Sequence, residues 1–317
     1  MGFFFEYASA LYGGFLAERD VITVPEELTE IAKKIVTVLG WRTTVQGRRF
    51  ETVFPTPAEN REVMIGLSGG LDSAYQLHRL QDEGYHVQAV HVDGLNRATA
   101  GVEHEQAREI ARIAGAEFID VKFRAPKQAI PDNPFKNQLV LGMMLDIGIG
   151  RWCYRYALGS DWCTPLSESV IKYTLTDSIE VNRAFWEGVR RHYEAELIFI
   201  DSDAKKLERL AYLAKHHEGT LREISSCVSP LRYRGHLHEL NKEKFGDVVW
   251  DGRCGSCYKC AMEYILLEMA GAVKTNEAYL EHCWDVLATS STSHRPELFS
   301  KNLSLQERRE NIRNYGS

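Results

Sequence analysis

The sequence predicts an α/β protein whose centre is a parallel, doubly wound sheet. Three observations carry that expectation. Apolar runs of strand length alternate with helical patterns from residue 62 to residue 217, joined by short connections. The first run, Val63-Met64-Ile65-Gly66-Leu67, ends in Ser68-Gly69-Gly70-Leu71-Asp72-Ser73, and a helical pattern follows at once. A cysteine-rich stretch then comes late in the chain, outside the alternating region. These features divide the chain into an N-terminal extension (1–60), an α/β domain (61–225) and a metal-binding, helical C-terminal region (226–317).

In the extension, Pro25 to Leu39 carries apolar residues at helical spacing, and Arg42 to Phe54 alternates as a hairpin would. Pro55 and Pro57 mark a linker. Residues 62–67 read as a buried strand, because a short apolar run is stopped by glycine. Residues 73–83 read as a helix with Ala74, Leu77 and Leu80 on one face and Gly84 as its stop. A second strand is expected at 86–92, ending in Asp93-Gly94. A helix at 102–114 is stopped by Gly115, and a third strand follows at 117–122. Further on, helices are expected at 137–149, 178–194 and 204–217, with strands at 151–158 and 197–201. In such sheets ligands bind beyond the carboxyl ends of the strands, so the loop at 68–73 and the turn at 92–97 share the expected edge.

Composition narrows the class. The chain has 317 residues, enough for a full core, and its 44% hydrophobic and 26% charged content is that of a folded soluble protein. A formal charge of −6 argues against a dominant nucleic-acid surface. No basic stretch leads a long apolar core at the N-terminus, and the apolar segment Leu139–Ile149 is too short to span a bilayer. Seven cysteines, three of them within seven residues, make poor disulfide arithmetic and good metal arithmetic. A reducing, cytoplasmic setting is therefore expected.

The loop at 68–73 has the makings of an anion site. The first amides of a helix lack intrahelical partners, and the helix dipole adds partial positive charge there. Gly69 and Gly70 allow close approach of the backbone to an anion. Ser68 and Ser73 can add hydroxyl donors, and Asp72 can cap the helix or face a metal. The plain alternative is a glycine turn that only caps a helix. With no lysine, this is not the Gly-x4-Gly-Lys-Ser/Thr phosphate loop. Asp93 reads equally well as a solvated turn carboxylate or as a residue at the nucleotide or its metal.

Cys254-Gly-Ser-Cys257-Tyr-Lys-Cys260 can aim three thiols at one point, and a closed structural zinc site wants four ligands. Cys227 is the best fourth, with His236 and His238 as substitutes. An iron–sulfur cluster would use the same thiolates. Small buried hydrophobes are the bland reading of these cysteines, and the expected reading of Cys153, Cys163 and Cys283.

Ser68–Ser73 resembles the Ser-Gly-Gly-x-Asp-Ser signature of the PP-loop ATP pyrophosphatases. That resemblance implies an adenine nucleotide alpha hydrolase-like fold whose loop, Ser68, Gly69, Gly70, Leu71, Asp72 and Ser73, holds the β- and γ-phosphates of ATP. A PP-loop followed by a Cys and a Cys-x2-Cys-x2-Cys resembles in particular the 7-cyano-7-deazaguanine synthase family of queuosine biosynthesis. The likeness runs from about residue 62 to residue 262. Asp93-Gly94 is similar to the family's Asp and Gly after the second strand, Lys136-Asn137 to its Arg-Asn pair, Ser226-Cys227-Val228 to its Ser-Cys-Tyr, and 254–260 to its Cys-Gly-x-Cys-x-x-Cys. The chain departs from the family at its Tyr-Pro-Asp-Cys-Arg segment, echoed in Tyr173–Ser178 by Asp177 alone. It also departs in the insertion 228–253, with Arg232, Arg234, His236 and His238, and in residues 1–60.

The resemblance implies adenylation. A carboxylate of a 7-deazaguanine attacks the α-phosphate of ATP, pyrophosphate leaves, and ammonia or another amine displaces AMP; a second ATP then dehydrates the amide to a nitrile. Asp72, Ser73 and Lys136 are the expected catalytic residues, with Asp72 or Asp93 near Mg²⁺. Cys227, Cys254, Cys257 and Cys260 are the expected Zn²⁺ ligands. A homodimer is expected, and the extra segments suit a macromolecular acceptor. Two rivals stand beside this reading: a PP-loop tRNA sulfurtransferase using Cys153 or Cys163, and a nucleotide-binding subunit that acts on a partner without catalysis.

Overall fold

The computed structural model describes residues 21–25, 44–48, 60–93, 100–122, 136–158, 193–198 and 204–225, most of 227–289, and 296–315, with a few single residues between them. Among the described residues a five-stranded parallel sheet is built from β3 (Glu62–Gly66), β4 (His86–Asp93), β5 (Glu117–Lys122), β6 (Arg155–Leu158) and β7 (Glu196–Leu197). Its order is β5-β4-β3-β6-β7, with every neighbouring pair parallel. The chain steps from β3 outward to β5 and then returns to the other side of β3. That reversal defines a doubly wound sheet and puts its switch point beside β3.

Why β3 lies at the centre is plain from its composition. Val63, Met64 and Ile65 are wholly buried, as a strand covered on both faces requires. Four residues separate Gly66, the end of the strand, from helix α1 (Leu71–Asp82), and α2 (Ala100–Ala114) joins β4 to β5. Helix α3 (Lys136–Arg151) lies against β3 and β6. A Cβ on Gly66 would stand 3.1 to 3.5 Å from Leu158, Val140 and Met144, so this glycine sets how closely α3 approaches β3.

The chain divides into two compact units. One comprises residues 1–67, 79–96 and 117–200; the other comprises 68–78, 97–116 and 201–317. The first holds the sheet and α3. The second holds the loop at 68–73 with the start of α1, then α2, α4 (Lys206–His216), α5 (Glu218–Glu223), α6 (Leu231–Phe245), α7 (Tyr258–Met269), α8 (Glu277–Thr289) and α9 (Leu305–Tyr315). Its core gathers Ile265, Leu266 and Leu267 of α7, Leu280, Trp284 and Leu287 of α8, and Phe299 and Ile312, all buried. No helix among the described residues is long and apolar enough to cross a membrane.

The structure corrects several expectations. Thr44–Arg48 (β2) does not fold back on its own neighbours as a hairpin; it pairs in parallel with β1 (Val21–Pro25). Alternation marks a strand but not its partner, and a parallel partner lies a long crossover away. Pro25 ends β1 instead of starting a helix, and 26–43 lie outside the described residues. The fourth strand starts at Arg155, not Arg151. The helix runs on through Arg151, then Trp152 turns the chain at φ 58, and Cys153 follows. The β-prone run Arg-Trp-Cys-Tyr-Arg-Tyr hides that turn. Its carbonyl is well held, since the hydroxyls of Tyr156 and Tyr193 both donate to Cys153 O at 2.7 Å. The fifth strand is only Glu196–Leu197, and Tyr193–Ala195 are not helical. Most of the expected helix 178–194, the Tyr173–Ser178 segment and Cys163 lie outside the described residues.

Gly148 of α3 is where helix and sheet meet most tightly, because a Cβ there would overlap the Tyr156 ring and hydroxyl. Replacing Gly148 with Ala is expected to cost about 1–3 kcal/mol through overpacking, despite alanine's better helix propensity. Chemical denaturation of the two chains measures this, and an unchanged midpoint would contradict the packing described.

Candidate functional site

The loop is built by the strand that precedes it and the helix that follows. Leu67 extends the β3–β4 pairing, its amide donating to Val90 O at 2.8 Å, and the His91 ring lies 2.8 Å from Leu67 O. Ser68 to Gly70 then turn the chain, and Leu71 opens α1. Gly69 has φ +81, a conformation open to glycine. A Cβ on it would also stand 3.0 Å from Gln106 Cβ, 3.2 Å from Glu103 O and 3.3 Å from Ala107 N of α2. Two of those atoms are helix backbone and cannot yield.

Hydroxyls close the loop from within. Ser73, buried at 4% exposure, donates from Oγ to Gly70 O at 3.2 Å and accepts from the Ser68 amide at 3.2 Å. The Ser68 and Ser73 hydroxyls lie 3.2 Å apart, and the Gly70 amide donates to Ser68 Oγ at 3.4 Å. The turn is thus held in shape by its own side chains while the helix start supplies the anion-attracting amides.

Asp72 has a partner that sequence reasoning missed. Arg209 of α4 donates from Nη1 to Asp72 Oδ1 at 2.7 Å. The guanidinium side is buried, 3% exposed, and the carboxylate side is 39% exposed. Arg209 lies 5.7 Å from the Tyr75 ring centroid, and the Tyr75 hydroxyl donates to Asp201 Oδ2 at 3.0 Å. A bare carboxylate beside a helix start would disfavour an anion there, and the Arg209 guanidinium neutralises it.

Asp93 is the last residue of β4 and is part-buried. Lys136 and Asn137 open α3, as the helix-start expectation has it, but their side chains and Gly94 lie outside the described residues.

The second cluster is within the 68–78, 97–116, 201–317 unit. The sulfurs of Cys227, Cys254, Cys257 and Cys260 all lie within 4.8 Å of one another. Three of the four are buried and Cys257 is half-buried. Cys257 caps α7, its sulfur accepting from the Cys260 amide at 3.5 Å. Cys254 Sγ accepts from the Ser229 hydroxyl at 3.0 Å, the Cys257 amide at 3.2 Å and the Ser256 amide at 3.4 Å. The neighbouring thiols of Cys227, Cys257 and Cys260, and then the Ser229 hydroxyl, hold the Cys254 thiol well below its ordinary range. The thiols of Cys227, Cys254 and Cys257, and then burial, push Cys260 up. A divalent cation would remove that conflict by binding all four as thiolates. His236 and His238 are not part of the set: His236 is exposed, and His238 Nδ1 lies 2.9 Å from Arg253 O.

The other described cysteines are packing residues. Burial pushes the Cys153 thiol up to about 11, and it donates to Arg155 O at 3.3 Å. Burial likewise raises Cys283.

A doubly wound sheet with a Ser-Gly-Gly-Leu-Asp-Ser turn at its switch strand resembles the PP-loop domain of the ATP pyrophosphatases. Within that class the chain resembles one group in particular, as a divergent relative: residues 62–140 match the family described as Queuosine biosynthesis protein QueC. Over 63 residues the chain is 35% identical to the tRNA-specific 2-thiouridylase MnmA 1 of Aliarcobacter butzleri. That match covers 20% of this chain and only 17% of the length of that curated relative. Among solved structures, the U34-tRNA thiolase NcsA from Methanococcus maripaludis with its 4Fe-4S cluster is similar at 18% identity and a TM-score of 0.35, over 79% of this chain and 82% of that one.

The Arg209–Asp72 pair can be weighed directly. A double-mutant cycle with Asp72→Ala and Arg209→Met, read by denaturation, is expected to show a coupling of about 1–2 kcal/mol, the lower part of the range for charged hydrogen bonds because Asp72 faces solvent. Additive effects would mean the two side chains do not sense each other.

Proposed function

We propose that this chain adenylates a carboxylate at the expense of ATP and releases pyrophosphate, with a 7-deazaguanine carboxylate as the favoured acceptor. The observation that carries this reading is the intact loop, Ser68 to Ser73, closed by its own hydroxyls at the start of α1. The QueC match over 62–140 supports the choice of acceptor, and so does the gathering of four thiols further along the chain.

The chemistry follows from what a carboxylate lacks. Its leaving group would be oxide, so it is inert to amines until converted to an acyl phosphate anhydride. A carboxylate oxygen attacks the α-phosphorus, the α–β anhydride bond breaks, and pyrophosphate carries away the charge. Ammonia then adds to the acyl-adenylate, losing a proton as AMP departs, and leaves an amide. Adenylation of the amide oxygen by a second ATP, with loss of AMP and a proton, gives a nitrile.

The protein's share is positioning and charge stabilisation. The amides at the start of α1 and the loop backbone hold the β- and γ-phosphates as one unit. Ser73 keeps the turn closed, and Asp72, held by Arg209, orients the loop's polar edge. Lys136 is assigned to charge on the α-phosphate or the acceptor. Mg²⁺, when bound, would neutralise pyrophosphate, with Asp72 or Asp93 as its protein neighbour.

The thiol set suits zinc. Four sulfurs round a tetrahedral zinc, each at about 2.3 Å, stand about 3.8 Å apart. Here Cys254 and Cys260 are 3.9 Å apart and Cys227 and Cys257 are 4.0 Å apart. A polynuclear cluster would have to lie between the thiolates and spread them. Zn²⁺ would staple α7 to the segment bearing Cys227; its role is structural.

One observation favours a second reading, transfer of sulfur to a tRNA base: the curated relative is a tRNA 2-thiouridylase. The raised Cys153 thiol counts against it as the sulfur carrier, and Cys163, the other candidate, lies outside the described residues. A macromolecular acceptor, a homodimer and a cytoplasmic setting belong to the proposal as expectations.

Two measurements test it. Pyrophosphate release is expected with ATP, Mg²⁺, an ammonium source and 7-carboxy-7-deazaguanine, and its loss, by more than about 100-fold, in Asp72→Ala or Ser73→Ala chains that keep their fold. Release only with unmodified tRNA and a sulfur donor would transfer the assignment to the second reading. Elemental analysis is expected to find one zinc per chain; iron with visible charge-transfer absorption would overturn the zinc assignment.

A further inference from the structure

The segment between Cys227 and Cys254 is an insertion relative to the sequence family the loop resembles, and its basic and histidine residues invite a role at an acceptor. The structure points elsewhere. Most of the segment is helix α6, and one stripe of that helix faces the cysteines. Arg234, Leu237, His238 and Asn241 lie at helical spacing on one side. Leu237 packs against the buried cysteine cluster.

The polar members of the stripe bind the backbone that carries the thiols. Arg234, 7% exposed, donates from Nη2 to Cys227 O at 2.9 Å and Ser229 O at 3.3 Å. Asn241, also 7% exposed, has Nδ2 at 2.8 Å from Cys254 O, 2.7 Å from Ser256 Oγ and 2.8 Å from Leu237 O of its own helix. His238 reaches Arg253 O, one residue before Cys254. A side chain on Gly255 would stand 3.1 Å from Asn241 Cβ, so the turn between Cys254 and Cys257 is pressed directly onto α6. The opposite side of the helix carries Glu239 and Glu243, both exposed.

We infer that α6 is the outer shell of the four-thiol site, and that Arg234 and Asn241 are positioning residues that determine how firmly the site keeps its metal. The inference rests on the reading that the four thiols hold a metal ion. Cys227 and Cys254 belong to separate stretches of chain; the Ser225 hydroxyl on Gly252 O and the Arg253 guanidinium on Ile224 O tie these stretches directly, and α6 adds a second, independent tie. With α6 in place, Arg234 fixes one stretch and Asn241 the other against the same rigid helix, so the sulfurs are gathered before the ion arrives. Preorganisation of this kind is expressed as slower metal release and tighter binding.

The test uses the full chain loaded with Zn²⁺ or Co²⁺. Zinc transfer to a chelating dye gives the release rate, and the cobalt charge-transfer spectrum reports the geometry at the thiolates. Asn241→Leu and Arg234→Met are expected to speed release by about 10–100-fold and to alter the cobalt spectrum. Arg234→Lys, which keeps the charge but not the two-carbonyl reach, should fall between. Glu239→Ala and Glu243→Ala, on the far side of the same helix, should release zinc at the unaltered rate. If Asn241→Leu fails to fold, Arg234→Lys carries the test alone. Release within twofold of the unaltered chain in the Arg234 and Asn241 variants would overturn the inference, as would equal acceleration by the Glu239 and Glu243 variants. Failure of the unaltered chain to bind either metal would instead overturn the metal reading beneath it, so the two failures are distinguishable.

Discussion

At residue 69 the backbone of α2 stands tightly against the space a side chain would enter, and the loop's shape follows from that contact. Glu103 O and Ala107 N stand 3.2 and 3.3 Å from where a Cβ would lie, while φ is +81. Both constraints admit glycine alone. With the turn so placed, Ser68 and Ser73 come within hydrogen-bonding distance, and Asp72 is carried to the edge where Arg209 meets it. A turn assembled this way is held by packing and by its own hydroxyls, so its shape does not depend on a ligand.

How much of this was legible beforehand depends on the range of the interaction. The strand–turn–helix at 62–82 could be read because every requirement lies within a few residues of its neighbours: buried apolar triplet, glycines, then helix-compatible residues. The sheet's parallel order followed from alternation. Arg209 could not be found, since nothing in Lys206–His216 distinguishes it from a solvated helical arginine; its meaning comes from Asp72, 137 positions away. The helix end at Arg151 was hidden for a different reason. Gly150 does not stop it, and the left-handed turn falls on Trp152, a residue type that rarely adopts such a conformation.

The thiol site shows the same division. Spacing alone assembles Cys254, Cys257 and Cys260, since the chain between them is too short to separate them. Cys227 had to be chosen from a distance, and the structure places its sulfur with the others. The helix between was not anticipated, because α6 is largely polar and Leu237 is its single described side chain packed on the cysteines. Its hold on its neighbours comes from Arg234 and Asn241, side chains usually assigned to surfaces.

The two anchored ends of that helix bear on how much the chain can vary in length. Between two points held together, the entropy of closing a loop grows only with the logarithm of its length, about 0.6 kcal/mol for each doubling. The chain joining Cys227 to Cys254 can therefore be long or short at nearly the same cost, provided both cysteines reach the same place. A helix accommodated there adds burial and hydrogen bonds of its own. The four-thiol centre thus acts as a fixed seam at which extra chain can be taken up.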